Sequence, residues 1–426
     1  MFASYISNVL PELGEETVEE TSMEEIAQQL LEYQINFQTF FDQVSELLSK
    51  DDQELIERIQ FKSSGAFLRK MDEYLLYLEN NAFKPVEVII NKKPVPAWFI
   101  EEKFKQYSRL PILKRFNEVV REIVNNVFIH YKYEVQGKER TNLHTAVRKM
   151  FPSVNLKVLY KNFYSWAGKE NLLKIRKGNF YEYSDVYPLI YLKMKMEGIA
   201  PFHKVKHLVV DEMQDYSAVQ YHILSQLFPC KKTILGDINQ SVNPFSSSNL
   251  ETIKSVLPDA TCMSMLKSYR STWEITEFTK KISQKVEVEA IERHGEQPQI
   301  LCFNTEEEEF DCLKDLLKEF QKNGYNSMGI ICKTQEQANH LHKILSENAT
   351  INLLHAASVA FGSGIVITTA HLAKGLEFDM VAVPFCTDKN YQTEPDRQML
   401  YVACTRAMHK LVITGQKEIS NFVKRL

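Results

Sequence analysis

Glycine is scarce in this sequence, at 14 of 426 residues, less than half of the usual share of about 7%. Loops that wrap phosphate with backbone N–H groups need glycine, so such loops can only be few. Cysteine is equally thin. Cys230, Cys262, Cys302, Cys312, Cys332, Cys386 and Cys404 are odd in number, widely spaced and without a C-x-x-C pair. That pattern argues against a disulfide framework or a structural zinc site and fits a reducing cytoplasm. No apolar run approaches the roughly 18 residues of a membrane span, so no membrane partner is expected. The start, MFASYISNVLPELGEE, has no basic segment or cleavage site and does not read as a secretory signal. Neither sign of charge dominates: 51 Lys+Arg stand against 55 Asp+Glu, a formal charge of −4. A uniformly basic, histone-like protein is excluded, while a local basic face is not. The remaining composition, 44% hydrophobic and 25% charged, is that of a globular chain of about two to three domains.

Two halves of the chain read differently. From Pro11 to Glu25 there are seven Glu and no Lys or Arg. Beyond that, to about Met196, apolar residues recur at three- and four-residue spacing, as in QQLLEYQINFQTFFDQVSELL and FNEVVREIVNNVFIHYKY, which predicts amphipathic helices. Residues 101–210 hold 21 Lys+Arg against 10 Asp+Glu, interleaved with 17 aromatics. Such a mixture suits a groove that tracks phosphates and stacks bases. It equally suits a helical domain with an aromatic core and solvated lysines. After about Lys204 the pattern changes to short apolar runs: VKHLVV, KKTIL, PQILCF, SMGIIC, GIVITT, MVAVPF and KLVIT. Helical stretches separate several of them. Strands apolar on both faces and alternating with helices predict parallel sheets covered by helices, with ligands beyond the carboxyl ends of the strands.

Five segments carry candidate chemistry. In HLVVDEMQDYS (207–217) an apolar strand ends in Asp211 and Glu212. One carboxylate can hold Mg²⁺ and the next can polarise an attacking water, as nucleoside-triphosphate hydrolysis requires; the bland alternative is a turn with solvated acids. In TILGDINQSVNPF (233–245) Gln240 can sense a γ-phosphate and Phe245 can stack on a base. Arg270, in LKSYRSTWEI, presents a planar fork suited to phosphate oxygens. In ITTAHLAKGLEFDMVAV (367–383) Gly375 permits close backbone approach and Glu377 can accept a ribose hydroxyl proton. Arg406, in RQMLYVACTRAMHKLVI, can stabilise developing phosphoryl charge.

In this order the set resembles motifs II to VI of superfamily one helicases of the UvrD/Rep branch. VVDEMQD is similar to motif II, GDINQSV to motif III, YRS to motif IV, TTAHLAKGLEFD to motif V and YVACTRA to motif VI. Upstream, FASYISNVLPELGEETVEETSMEE and YSDVYPLIYLKMKMEG are similar to stretches flanking the inserted helical domain of HelD-type proteins, which bind bacterial RNA polymerase. The resemblance implies ATP and Mg²⁺ as cofactors, with Asp211 on the metal and Glu212 as catalytic base. It places Gln240, Arg270 and Arg406 on the γ-phosphate and Glu377 on the ribose. It puts Phe245 and His371 along the nucleic-acid path. DNA, and for the HelD type RNA polymerase, are the implied partners.

The sequence contains no G-x-x-x-x-G-K-S/T loop, whose amides and Lys cradle the phosphates in that family. Its pairs Gly137-Lys138 and Gly168-Lys169 are each followed by Glu. The chain therefore reads as the C-terminal portion of a HelD-type protein, with little or no ATPase activity expected on its own and a separate Walker-loop fragment as a candidate partner. The expected fold is α/β, with two RecA-like lobes, the first incomplete, and a helical insertion. The expected divisions are 1–29, the first lobe; 30–195, the helical insertion; 196–275, the rest of the first lobe; and 276–426, the second lobe. Two functions compete: an ATP-dependent helicase or translocase represented by an incomplete motor, and a non-catalytic module that binds polymerase or nucleic acid.

Overall fold

The computed structural model describes residues 19–49, 52–241, 249–283, 287–355 and 363–424. The chain forms two compact units. One takes the described residues up to Thr39 together with Ser64–Pro201; the other takes Phe40–Ser63 with the described residues from Phe202 onward.

The first unit is helical, as the three- and four-residue spacing predicts. Helix Ile112–Tyr131 follows Pro111 and ends at Lys132 in the left-handed conformation; a proline before the first turn loses no intrahelical bond. It buries Ile112, Phe116, Val119, Val120, Ile123 and Val127, one continuous stripe of a 3.6-residue repeat. Helix Leu156–Ala167 starts where the Asn155 side chain accepts the Val158 N–H and stops at Gly168, whose φ is 63°. Helix Tyr183–Glu197 is buried around nearly its whole circumference and packs against the other two and against Met23–Leu30. It is the centre of this unit, which is why its sequence, YSDVYPLIYLKMKME, has no polar face.

The second unit is α/β. Its larger sheet has six parallel strands: β1 (Gln299–Phe303), β2 (Ser327–Cys332), β3 (Ile351–Leu353), β4 (Gly364–Thr369), β5 (Phe378–Val383) and β6 (Ala407–Gln416). Their spatial order is β3-β4-β2-β5-β6-β1. Side chains alternate faces along each strand, and here both faces are apolar. Met328, Ile330, Ile365, Ile367, Met380, Ala382 and Val412 meet helices Glu306–Lys322 and Gln335–Leu345. Ile331, Val366, Val381, Val383, Leu411 and Ile413 meet Trp273–Ser283 and Glu394–Cys404 on the other side. Gly329 is required by close approach, since a Cβ there would lie 2.7 Å from the Phe378 ring. A smaller sheet pairs His207–Val210 with Lys231–Ile234 in parallel, joined through helix Ala218–Leu227. Helix Gln53–Ser63 packs on that connecting helix.

All seven apolar runs contribute strands, all parallel in the two sheets. The architecture is thus the expected α/β one with a helical region. In the larger sheet, β3 is the strand the runs did not announce; it is three residues long and lies at the sheet edge. Among the described residues no helix is long and apolar enough to cross a membrane.

Candidate functional site

The chain leaves the strand His207–Val210 at Asp211 and Glu212. Asp211 Oδ1 accepts the Glu212 N–H at 2.8 Å. Glu212 sits at φ 54°, ψ 48°, a left-handed conformation costly for a residue with a Cβ and most often retained at functional sites. The next turn is fixed by the neighbouring strand, because Met213 N–H donates to the Leu235 carbonyl at 2.8 Å. Gln214 is fully buried and bridges two loops. Its Nε2 donates to Glu212 Oε2 at 2.7 Å, and its Oε1 accepts the Asp237 N–H at 3.0 Å. Gly236 makes this possible: a Cβ there would lie 2.4 Å from Gln214 Oε1.

From Asp237 the connections continue. Gln240 Nε2 donates to Asp237 Oδ2 at 3.0 Å, and Arg406 Nη2 donates to Gln240 Oε1. Arg406 is 1% exposed. Burial, with the Arg270 guanidinium nearby, lowers its pKa to about 10, so it stays charged at neutral pH. Its remaining donors reach Val402 O at 3.2 Å, Leu376 O at 3.4 Å and Thr405 Oγ1 at 3.2 Å. At the other end Lys374 donates to Asp215 and lies 3.4 Å from Glu212 Oε2. Arg270 Nε donates to Glu377 Oε1 at 2.6 Å. Residues from Lys374 to Arg406 thus form one polar network with the Arg270–Glu377 pair beside it. Asp211–Gln214 and Asp237–Gln240 lie beyond the carboxyl ends of the smaller sheet's strands, while Glu377 and Arg406 immediately precede β5 and β6.

A cavity of about 530 Å³ opens beside it, lined by Asp237, Gln240, Tyr269, Arg270, Glu377 and Tyr401 among others. Its size suits a small molecule such as a nucleotide. Gly375 has φ 77° and nothing within 4 Å of a Cβ position. Glycine is needed there for the turn, and the space in front of it is open.

Sequence reasoning brought Asp211, Glu212, Gln240, Arg270, Glu377 and Arg406 into view. It assigned nothing to Lys374, Asp237, Tyr269 or Tyr401. Lys374 could have been read from its place in AKGLEF. The other three gain a place only because separate loops meet.

His371 is 3% exposed. Its Nε2 lies 3.3 Å from Ser45 Oγ and 3.4 Å from Thr369 Oγ1, with the Phe41 ring beside it. Among the described residues its Nδ1 has no hydrogen-bond partner. Phe245 lies outside the described residues. Burial lowers the His371 pKa to about 4. The unfolded chain, titrating near 6.5, binds this proton first as pH falls, so stability complete above pH 6.5 is lost progressively toward pH 4. The expected loss is about 3 kcal/mol. Urea unfolding of wild type and His371→Asn between pH 7 and 4 should show the steeper decline in wild type; parallel curves would contradict the burial of a neutral imidazole.

Residues 16–261, more than half of the chain, match the UvrD/REP helicase N-terminal domain. The chain belongs to the UvrD/REP helicase family. Residues 364–414 of this UvrD-like chain match the UvrD-like helicase C-terminal domain. A protein of Acanthamoeba polyphaga mimivirus, provisionally named an ATP-dependent DNA helicase, is 25% identical over 311 residues. That alignment takes in 64% of this chain and 44% of the mimivirus protein, so the UvrD-like chain spans less than half of that relative's length. Among solved structures, the C-terminal domain of a possible DNA helicase from Lactobacillus plantarum WCFS1 is 32% identical. It covers 37% of this chain and 93% of its own, with a TM-score of 0.32. The PRRSV helicase is 13% identical, covering 50% of this chain and 36% of its own, with a TM-score of 0.29.

Proposed function

We propose that this chain supplies motifs II to VI of an ATP-driven DNA helicase or translocase of the UvrD/HelD type, acting on nucleic acid or on transcription complexes. The observation that carries the reading is the continuous polar network from Lys374 through Glu212, Gln214, Asp237 and Gln240 to Arg406. Hydrolysis coupled to movement needs such a link between the groups that act on water and the groups that read the phosphate. Glu212 takes the proton of the attacking water; Gln240, Arg270 and Arg406 face the terminal phosphate; Gly375 and Glu377 face the ribose.

Among the described residues no three His, Cys, Asp or Glu side chains form a metal site. That fits Mg²⁺, which is usually held by one or two carboxylates and the substrate's own phosphates, and Asp211 is the carboxylate in place. Bound there, the ion would neutralise phosphate charge. In this reading residues 1–29 and 196–275 belong to the first lobe, 30–195 to the helical insertion and 276–426 to the second lobe. The missing G-x-x-x-x-G-K-S/T loop is then supplied by a polypeptide segment outside the 426 residues. The same absence favours a second reading, a non-catalytic module that binds RNA polymerase or nucleic acid.

Phosphate release, measured with and without single-stranded DNA, separates the two. Turnover is expected only when a phosphate-loop polypeptide is added, and Glu212→Gln should remove it. No turnover in either mixture would reject the motor and leave the binding module.

A further inference from the structure

Tyr401 lies on the helix Glu394–Cys404, five residues before Arg406. It is 5% exposed, yet it lines the cavity beside Gln240 and Arg270. Its charged neighbours are Asp237, Arg406 and Arg270. Buried tyrosine hydroxyls nearly always have a hydrogen-bond partner. Among the described residues this hydroxyl has none. The neighbouring polar groups are already committed to one another. The Gln240 amide is engaged at both ends, by Asp237 and Arg406, and Arg270 Nε is held by Glu377. Tyr401 is therefore a neutral donor facing the cavity next to two guanidinium groups. A cationic fork with a neutral O–H beside it suits an anionic phosphate oxygen. Arg406 has Glu212, which takes the water's proton in the reading above, among its charged neighbours as well as Glu377, so Tyr401 stands beside the arginine that links these two groups.

We infer that the Tyr401 hydroxyl donates to the terminal phosphate of a bound nucleoside triphosphate and makes the site distinguish tri- from diphosphate. The inference rests on the nucleotide reading of this cavity. Its test is isothermal titration of ATP and ADP, each with Mg²⁺, into the full chain and into Tyr401→Phe, each combined with the phosphate-loop polypeptide. ATP affinity should fall about tenfold or more, the loss typical of one hydrogen bond to a charged group. ADP affinity should stay within about twofold, and the thermal unfolding midpoint, read alongside, should not move. Unchanged ATP affinity, or equal losses for both nucleotides, overturns the role of Tyr401 and leaves the nucleotide site standing. Wild type that binds neither nucleotide overturns the nucleotide reading itself, and the Tyr401 role with it.

Discussion

Replacing Arg406 with alanine is expected to lower ATP turnover by a factor on the order of 10³ or more in the motor completed by a phosphate-loop segment. The guanidinium is buried and held by four acceptors, one of them Gln240 and two of them backbone carbonyls. A charge fixed in that way needs no reorganisation when charge develops on the transferring phosphoryl group, which is where electrostatic stabilisation is most effective. Arg406→Lys keeps the charge but loses the planar fork and most of the acceptors, so most of the loss should remain. Gln240→Ala removes the link to Asp237 and should cost less. Steady-state kinetics check this through kcat, which should fall far more than KM rises. A kcat within about tenfold of wild type would show that Arg406 only supports the fold.

The largest expected effect on stability lies far from the cavity. Glu309 is fully buried. One carboxylate oxygen accepts the Phe385 N–H at 2.9 Å and the Thr414 hydroxyl at 2.6 Å; the other accepts Gln416 Nε2 at 2.9 Å. Those contacts fix the helix Glu306–Lys322 onto the end of β6 and the loop after β5. Glu309→Ala leaves one buried donor, the Thr414 hydroxyl, and two partly buried ones unpaired and should destabilise the α/β unit by about 3 kcal/mol. Glu309→Gln retains the shape and part of the bonding, and should cost about half as much. Equilibrium denaturation followed by tryptophan fluorescence measures both. A Glu309→Ala midpoint equal to that of wild type would show that these donors find other partners.

Legibility in the sequence followed the range of the interactions involved. Helix Ile112–Tyr131 and strands such as SMGIIC were readable because their burial follows a fixed period along a few residues. The acidic pair Asp211-Glu212 and the arginines at 270 and 406 were readable from type and order alone. Glu309 was not, because in EEEEFDCLKDLLKEF it looks like any of four helix-start acids. Only the packing against β6 singles it out. Tyr401 carries no signal in YVACTRA that sets it apart, and only the fold brings it to the cavity beside Gln240 and Arg270. His371 carried a family expectation of meeting nucleic acid, while the structure adds what no motif conveys, a neutral imidazole buried beside Ser45 and Phe41.

By itself the sequence determined the fold class, the alternation of strands with helices and the identity of the charged groups, since each depends on local periodicity or on residue chemistry. Tertiary structure decided the rest: that Lys374 meets Glu212 and Asp215, that Arg270 meets Glu377, and that Gln240 lies between Asp237 and Arg406. These pairs are separated by up to 166 positions in the chain. Their meeting depends on strand order and on close approaches at Gly236 and Gly329, which no local pattern encodes.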